Sequence, residues 1–123
     1  MGASWTRWAG AATVAYGVGT MVRPVWLARP CQLTGRGGSV PAPTALLVRA
    51  MGARDAAIGT AMMVAKNTSA RRTATVCRVV ADLSDAVLFG TQLPDPAARR
   101  KAAAAAGAWA ALCTAAAAAD GLL

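Results

Sequence analysis

Six ionisable side chains interrupt two otherwise apolar stretches in the middle of this chain. Three lie between residues 43 and 66 and three between residues 69 and 92: Arg49, Arg54, Asp55, Arg78, Asp82 and Asp85. A charge near the centre of a bilayer is costly unless it is paired or lines a cavity. The chain is therefore constrained to fold with these six groups facing its interior, and they form its candidate site.

The remaining composition is that of a membrane protein. Hydrophobic residues make up 56% of the 123 residues and charged residues only 15%, against about 25% charged in an average soluble domain. The uncharged runs 8–22 and 102–119 approach the roughly 20 residues that cross a bilayer core. A soluble bundle would carry a polar outer face on every helix. We therefore predict a multi-pass protein of the cell membrane, with an alanine-rich soluble bundle as the alternative.

The pattern predicts a single all-α domain, residues 1–123, built as an up-down-up-down bundle of four transmembrane helices. The helices are expected at about 4–22, 43–66, 69–92 and 96–119. Trp5, Trp8 and Trp26 fit the aromatic belts at the two ends of the first helix. Ser69 and Asp95 are expected to cap the third and fourth helices.

Charge and residue usage exclude several classes of function. The net charge of +8 comes from basic residues scattered between apolar stretches, as anchors facing anionic headgroups would be, which argues against nucleic acid as a partner. The chain has no histidine and no glutamate, so triads with a histidine base and His-ligated metals are excluded. Three cysteines in separate segments predict no metal site. We expect no cofactor and no metal, and the lipid bilayer as the main partner.

Four other residues inside the predicted helices are interpreted as packing residues. Tyr16 and Trp109 are lone aromatics, which could line a pocket but more often serve packing, while Cys77 and Cys113 are interpreted as small buried hydrophobic groups. The glycine-rich helices also favour a homo-oligomer, without fixing its number of subunits.

The charged residues of the third helix form one polar face. Arg78, Asp82 and Asp85 fall within an arc of about 60° at roughly 100° per residue. If the turn near residues 66–69 makes the second and third helices antiparallel, residues at equal depth have numbers that sum to about 135. This rule predicts three ion pairs: Arg49–Asp85, Arg54–Asp82 and Asp55–Arg78.

The second helix carries a recognisable segment. The run from Arg49 through Gly52, Arg54 and Asp55 to Gly59 resembles the Arg-x-x-Gly-x-Arg-Asp-x-x-x-Gly segment of small four-helix integral membrane proteins common in actinobacteria. The two aspartates of the third helix resemble that family as well. The resemblance covers mainly residues 43–92 and implies the membrane architecture alone.

These observations leave three functions open. In the first, a non-enzymatic membrane protein binds a lipophilic molecule. Arg49, Arg54 and Arg78 hold its anionic or carbonyl group and the aspartates balance them, or the six charges stabilise helix assembly.

In the second, an intramembrane enzyme uses Asp55, Asp82 or Asp85 as acid or base. It would be a cyclase or isomerase acting on a terpenoid- or polyketide-like substrate. The third is a small proton-coupled transporter, which the lack of an acidic residue in the first helix disfavours.

Overall fold

Four long helices dominate the computed structural model, which describes residues 4–123. They are α1 (Trp5–Val22), α3 (Ala42–Val64), α4 (Thr68–Gln92) and α5 (Pro96–Ala119), with the short helix α2 (Val25–Ala28) and a 3-10 turn (Arg36–Gly38) between α1 and α3. The predicted all-α class is confirmed, and the ends of the four long helices lie within two residues of the predicted ones.

Among residues 4–123, one of the four long helices is by itself long and apolar enough to cross a membrane, so the expected set of four transmembrane helices stays a prediction. Within residues 4–123 this helix is α5, and only 22% of its most apolar stretch is buried in the bundle. The core helix of a soluble protein would be mostly buried.

Side chains at the helix starts explain where α4 and α5 begin. The side chain of Asn67 accepts a hydrogen bond from the backbone N–H of Ala70 at 2.7 Å, and Asp95 accepts one from Ala98 at 2.8 Å. The predicted cap at Asp95 is confirmed. The cap predicted at Ser69 is wrong, because Asn67 takes that role and Ser69 lies inside the first turn of α4.

Helices α1 and α3 are antiparallel and meet through four glycines. A Cβ placed on Gly17 would lie 2.6 Å from the carbonyl oxygen of Gly52, and one on Gly10 would lie 2.7 Å from that of Gly59. Such approaches leave no space for any side chain, so only glycine permits this backbone separation.

The buried faces of these two helices repeat every three to four residues, as in a left-handed coiled coil. On α1 the face consists of Thr6, Gly10, Thr13, Gly17 and Thr20, and on α3 of Val48, Gly52, Asp55, Gly59 and Met62. Helix α4 also makes an extensive contact with α5, whereas fewer residues meet between α3 and α4 or between α1 and α5. The bundle therefore consists of two tight helix pairs that contact each other more loosely.

Two apolar clusters lie at opposite ends of the bundle. One, near α2, contains Leu27, Cys31, Val48, Leu93 and Ala98. The other contains Ala9, Met62, Ala74 and Cys113. The polar interior lies between them, at the middle of α3 and α4, so the apolar clusters enclose the candidate site from both ends.

A carboxylate from the far end of the sequence caps α1. Asp120 accepts hydrogen bonds from the backbone N–H groups of Trp5 at 3.0 Å and Thr6 at 2.8 Å. The hydroxyls of Ser4 and Thr6 also donate to it. Burial alone would raise the pKa of Asp120, but these hydrogen bonds outweigh it and lower the pKa to about 2. A negative charge at a helix N-terminus also interacts favourably with the positive end of the helix dipole.

Candidate functional site

Five of the six predicted charged residues form one continuous network in the middle of the bundle. Its order is Asp85–Arg54–Asp55–Arg78–Asp82, with Arg54 and Asp55 from α3 and the other three from α4. The guanidinium of Arg54 lies 2.7 Å from Asp85 and 2.9 Å from Asp55. Arg78 lies 2.9 Å from Asp55 and donates from Nε to Asp82 at 3.0 Å. We call these five residues the ion-pair network.

The network is most deeply buried at its Arg78 end. Arg78 is 1% exposed and Asp82 5%, whereas the side chain of Arg54 is 37% exposed. Helix geometry explains why these two residues are buried together, because Arg78 and Asp82 are four residues apart and lie on the same face of α4. A buried guanidinium needs nearby carboxylates to offset its desolvation, and the two flanking aspartates provide them.

The sixth charged residue, Arg49, is not part of the network. It is exposed, and its Nε donates to the backbone carbonyl of Met21 at the end of α1, at 3.1 Å. The predicted pair Arg49–Asp85 is therefore wrong, because Arg49 points to α1 rather than to α4.

The other two predicted pairs have different outcomes. Asp55–Arg78 is confirmed. Arg54–Asp82 is wrong, since Arg54 binds Asp85 with both terminal nitrogens. The depth rule placed the residues at the correct level but took no account of their direction around the helix.

A cavity of about 550 Å³ lies beside the network, between the two helix pairs. Four network residues line one side of it: Asp55, Arg78, Asp82 and Asp85. The rest of the lining is mostly apolar and comes from all five helices and the turn after α2. It includes Tyr16, Leu27, Met51, Phe89, Ala102, Ala106 and Trp109. Charged groups therefore meet an apolar volume large enough for a small organic molecule.

The exposed lining residues show where the cavity opens. Ala12 and Tyr16 on α1, Lys101 and Ala105 on α5, and Pro30 in the turn after α2 beside them are exposed, whereas Asp55, Arg78 and Asp82 are buried. Between the two helices, Trp109 donates a hydrogen bond to the hydroxyl of Thr13 at 3.2 Å. The opening therefore lies between α1 and α5.

Several lining residues differ from the sequence interpretation. Tyr16 and Trp109 were interpreted as packing residues, with pocket lining as the alternative, and both line the cavity. Phe89 was missed, although it follows Asp85 by four residues and so lies on the polar face predicted for α4. The contributions of α2 and Lys101 to the cavity lining could not be predicted from the sequence, because they depend on the path of the connection between α1 and α3.

The cysteines divide between the interior and the surface. Cys31 and Cys113 are buried and Cys77 is exposed, so the prediction of a buried position is confirmed for Cys113 and wrong for Cys77. Among the described residues, no group of three histidine, cysteine or acidic side chains is arranged to hold a metal ion.

Comparison with known proteins yields no relative: no family model, curated protein or solved structure matches this sequence. The resemblance of residues 49–59 to small four-helix actinobacterial membrane proteins therefore stays a prediction. The geometry of the cavity and of the ion-pair network carries the functional argument.

Proposed function

We propose that this chain is a multi-pass membrane protein that binds a lipophilic molecule in the cavity between its two helix pairs. The polar group of that molecule contacts the ion-pair network, and its apolar part lies against the aromatic and aliphatic walls. The observation that carries the proposal is the lining of the cavity, where four network residues face an otherwise apolar volume.

The distribution of polar and apolar residues supports insertion of all four long helices in a membrane. Most buried helix positions hold small or polar residues, including Thr6, Thr13, Thr20, Asp55, Thr75, Arg78 and Asp82. Large apolar residues are exposed on the same helices, among them Leu46, Leu47, Val64, Val80, Val87 and Leu88. Soluble bundles show the opposite arrangement. Surrounding lipid would cover the exposed apolar residues, and the polar ones would still face inward.

Helix length and end composition agree with this arrangement. At 1.5 Å per residue the four helices are roughly 27 to 38 Å long, and a hydrocarbon core is about 30 Å thick. Trp5, Trp8 and Trp26 are exposed near the helix ends, where interfacial tryptophans concentrate. Apart from Arg49 and the two network arginines, the basic residues also lie near the ends of the long helices or in the connections.

A labelling experiment tests the membrane part of the proposal. Cys77 is exposed in the middle third of α4, whereas the other two cysteines are buried. In intact membranes we expect a charged, water-soluble maleimide to leave Cys77 unmodified because lipid covers it. A Ser69→Cys variant, changed at the exposed start of α4, should be labelled readily. Equal labelling of Cys77 and of the new thiol would contradict membrane insertion.

The binding part of the proposal is tested by filling the cavity. Ala106 lines the cavity, and Ala108 on the same helix is exposed outside it. Native mass spectrometry of protein purified from its own host in mild detergent should show a discrete bound mass. We expect that mass to disappear in Ala106→Phe and to persist in the matched Ala108→Phe variant. Persistence of the mass in both folded variants would place the ligand elsewhere.

A structural role for the network accompanies this function, because the network also joins α3 to α4. Helix assembly alone would not require a cavity beside the charges, since alanine would pack as well and buried ion pairs are often no more stable than apolar replacements. The cavity therefore favours ligand binding as the function.

The excess of carboxylates in the network favours one second candidate, an acid–base enzyme. Asp55, Asp82 and Asp85 share only two guanidinium groups, so one of these acids is available to exchange a proton with a bound substrate. A cyclase or isomerase would convert its substrate without a change of mass. The molecule extracted from an Asp82→Asn variant would then differ from the wild-type one in chromatographic retention, whereas a binding protein would yield the same molecule.

A further inference from the structure

Every guanidinium nitrogen of the two network arginines already contacts a carboxylate of the network. In Arg78, Nε and one terminal nitrogen bond to Asp82, and the other terminal nitrogen lies 2.9 Å from Asp55. In Arg54, all three nitrogens donate to Asp55 or Asp85. An anionic group that bound here would share these guanidiniums with three carboxylates, and their negative charge would repel it. The network is therefore poorly suited to the anionic head group that its arginines suggest.

One carboxylate oxygen remains as an acceptor. Both oxygens of Asp82 and both oxygens of Asp85 accept hydrogen bonds from arginine. Asp55 bonds to both arginines through Oδ1. Each oxygen of Asp82 and Asp85 could accept a second hydrogen bond, but among residues 4–123 Oδ2 of Asp55 is the one carboxylate oxygen of the network that accepts none. Since Asp55 lines the cavity, this oxygen is the group that a ligand with a donor would meet.

The charge of the network also favours a cation. Three carboxylates face two guanidiniums, because Arg49 lies outside the network. Lys101 lines the cavity too, but it is exposed and forms no ion pair with the described residues. A lysine at the rim extends its ammonium group towards water or headgroups. One negative charge in the interior therefore has no buried counterpart.

The walls of the cavity suit the same ligand. Tyr16, Phe89 and Trp109 line it from α1, α4 and α5. Aromatic rings attract an organic cation through their faces and contact alkyl groups equally well. The three aromatic residues come from different helices, so they surround the volume instead of forming a flat patch.

We infer that the ligand of this cavity is a protonated lipophilic amine. Its ammonium group donates a hydrogen bond to Oδ2 of Asp55 and balances the third carboxylate, and its apolar part lies between the aromatic side chains. This inference rests on the proposed function and names the chemical class of ligand for the same cavity.

The test uses three short probes of equal chain length: hexylammonium, hexanoate and hexanol. The protein is labelled with 5-fluorotryptophan and observed by ¹⁹F NMR in mild non-ionic detergent. Trp109 lines the cavity, whereas Trp5, Trp8 and Trp26 are more than half exposed and lie outside its lining. These three tryptophans therefore measure unspecific partitioning within the same sample, and a Trp109→Phe variant assigns the fourth resonance.

We expect hexylammonium to shift the Trp109 resonance with a Kd at least about tenfold lower than that of hexanol, as charge-assisted hydrogen bonds require. Hexanoate should bind more weakly than hexanol. Tighter binding of hexanoate or hexanol than of hexylammonium would overturn the inference and leave the proposed binding function intact. If all three probes moved only the three exposed tryptophans, both proposals would fail.

Two variants test the charge directly. Asp55→Asn should remove the preference for hexylammonium over hexanol. Because Asp55 bridges two arginines, that variant is at risk of misfolding, so Lys101→Met provides an independent test. Removing a rim cation should tighten hexylammonium binding by about two- to fivefold and weaken hexanoate binding. The opposite direction for both probes in Lys101→Met would contradict a cation site.

Discussion

Two kinds of contact hold this bundle together: one joins the helices of the α1–α3 pair, and the other joins the two helix pairs to each other. Within the α1–α3 pair, the backbones touch at Gly10–Gly59 and Gly17–Gly52, and no space remains. Between the pairs, polar side chains bridge more distant backbones. Because long side chains reach across a gap that small residues would close, the cavity lies between the pairs. The site thus lies where long polar side chains, and not close backbone contacts, connect the helices.

The largest expected effect concerns the contact between the pairs. Replacing Arg78 by Met would leave the buried Asp55 and Asp82 without their shared cation and should cost about 3–5 kcal/mol of stability. Arg49→Met is the matched control, because that exposed residue contacts only the carbonyl of Met21, and its loss should cost at most about 1 kcal/mol. Thermal unfolding in detergent measures both. Similar losses of stability in the two variants would show that the buried network does not contribute to the stability of the bundle.

The second prediction concerns the contact within a pair. In Gly17→Ala the new methyl group would collide with the carbonyl of Gly52, and overpacking of this kind costs about 3 kcal/mol. At Gly107 in α5, by contrast, a methyl group would meet no atom within 4 Å. Gly107→Ala should therefore stabilise the protein by up to about 1 kcal/mol. The comparison would fail if both variants shifted the unfolding temperature in the same direction.

The third prediction addresses the end of the contact between α1 and α5. Asp120→Asn should cost about 1–2 kcal/mol, as the loss of a charged helix cap does. The pKa of Asp120 is lowered to about 2 from 3.8, so its stabilisation is fully present above about pH 4. It decreases as the pH falls through 2. The wild type should show this acid slope in unfolding experiments, and an identical slope in the Asn variant would assign it to other groups.

The smallest effect is expected at the middle of the same contact. Thr13→Val leaves Nε1 of Trp109 without its acceptor and should cost about 1 kcal/mol. Thr114→Val removes a similar hydroxyl, which bonds only to the carbonyl of Ala110, and should cost less. A larger loss in Thr114→Val would show that the contact with Trp109 does not stabilise the bundle.

The helices could be predicted because their limits depend on local chemistry. Pro96 and Asp95 place the start of α5, and the polar turn at residues 65–67 separates α3 from α4. The four helices were therefore located within two residues. Ser69 and Asn67 are both good N-caps, so sequence alone did not decide between them. The cap of α1 by Asp120 could not be foreseen, since it joins groups more than 110 residues apart.

The sequence predicted which residues belong to the site better than it predicted which of them pair with each other. Arg78, Asp82 and Asp85 belong to one helical face, and this periodicity is visible in the sequence. The partner of Arg54 depends on how α3 is rotated against α4, and that rotation is fixed by the glycine contacts with α1. The same rotation carries Arg49 away from the network. Pairing by depth alone could not contain this information.

The cap on α1 has a consequence for the order in which the protein is synthesised. The hydrogen bonds to Asp120 span 114 to 116 residues. During synthesis, α1 therefore forms long before the carboxylate that completes its first turn has been added. The partial positive charge at the start of α1 is compensated by Asp120 only after the ribosome has added that residue. A chain that ended before this residue would lack these hydrogen bonds to the first turn of α1 and would keep only the cap that the side chain of Ser4 provides.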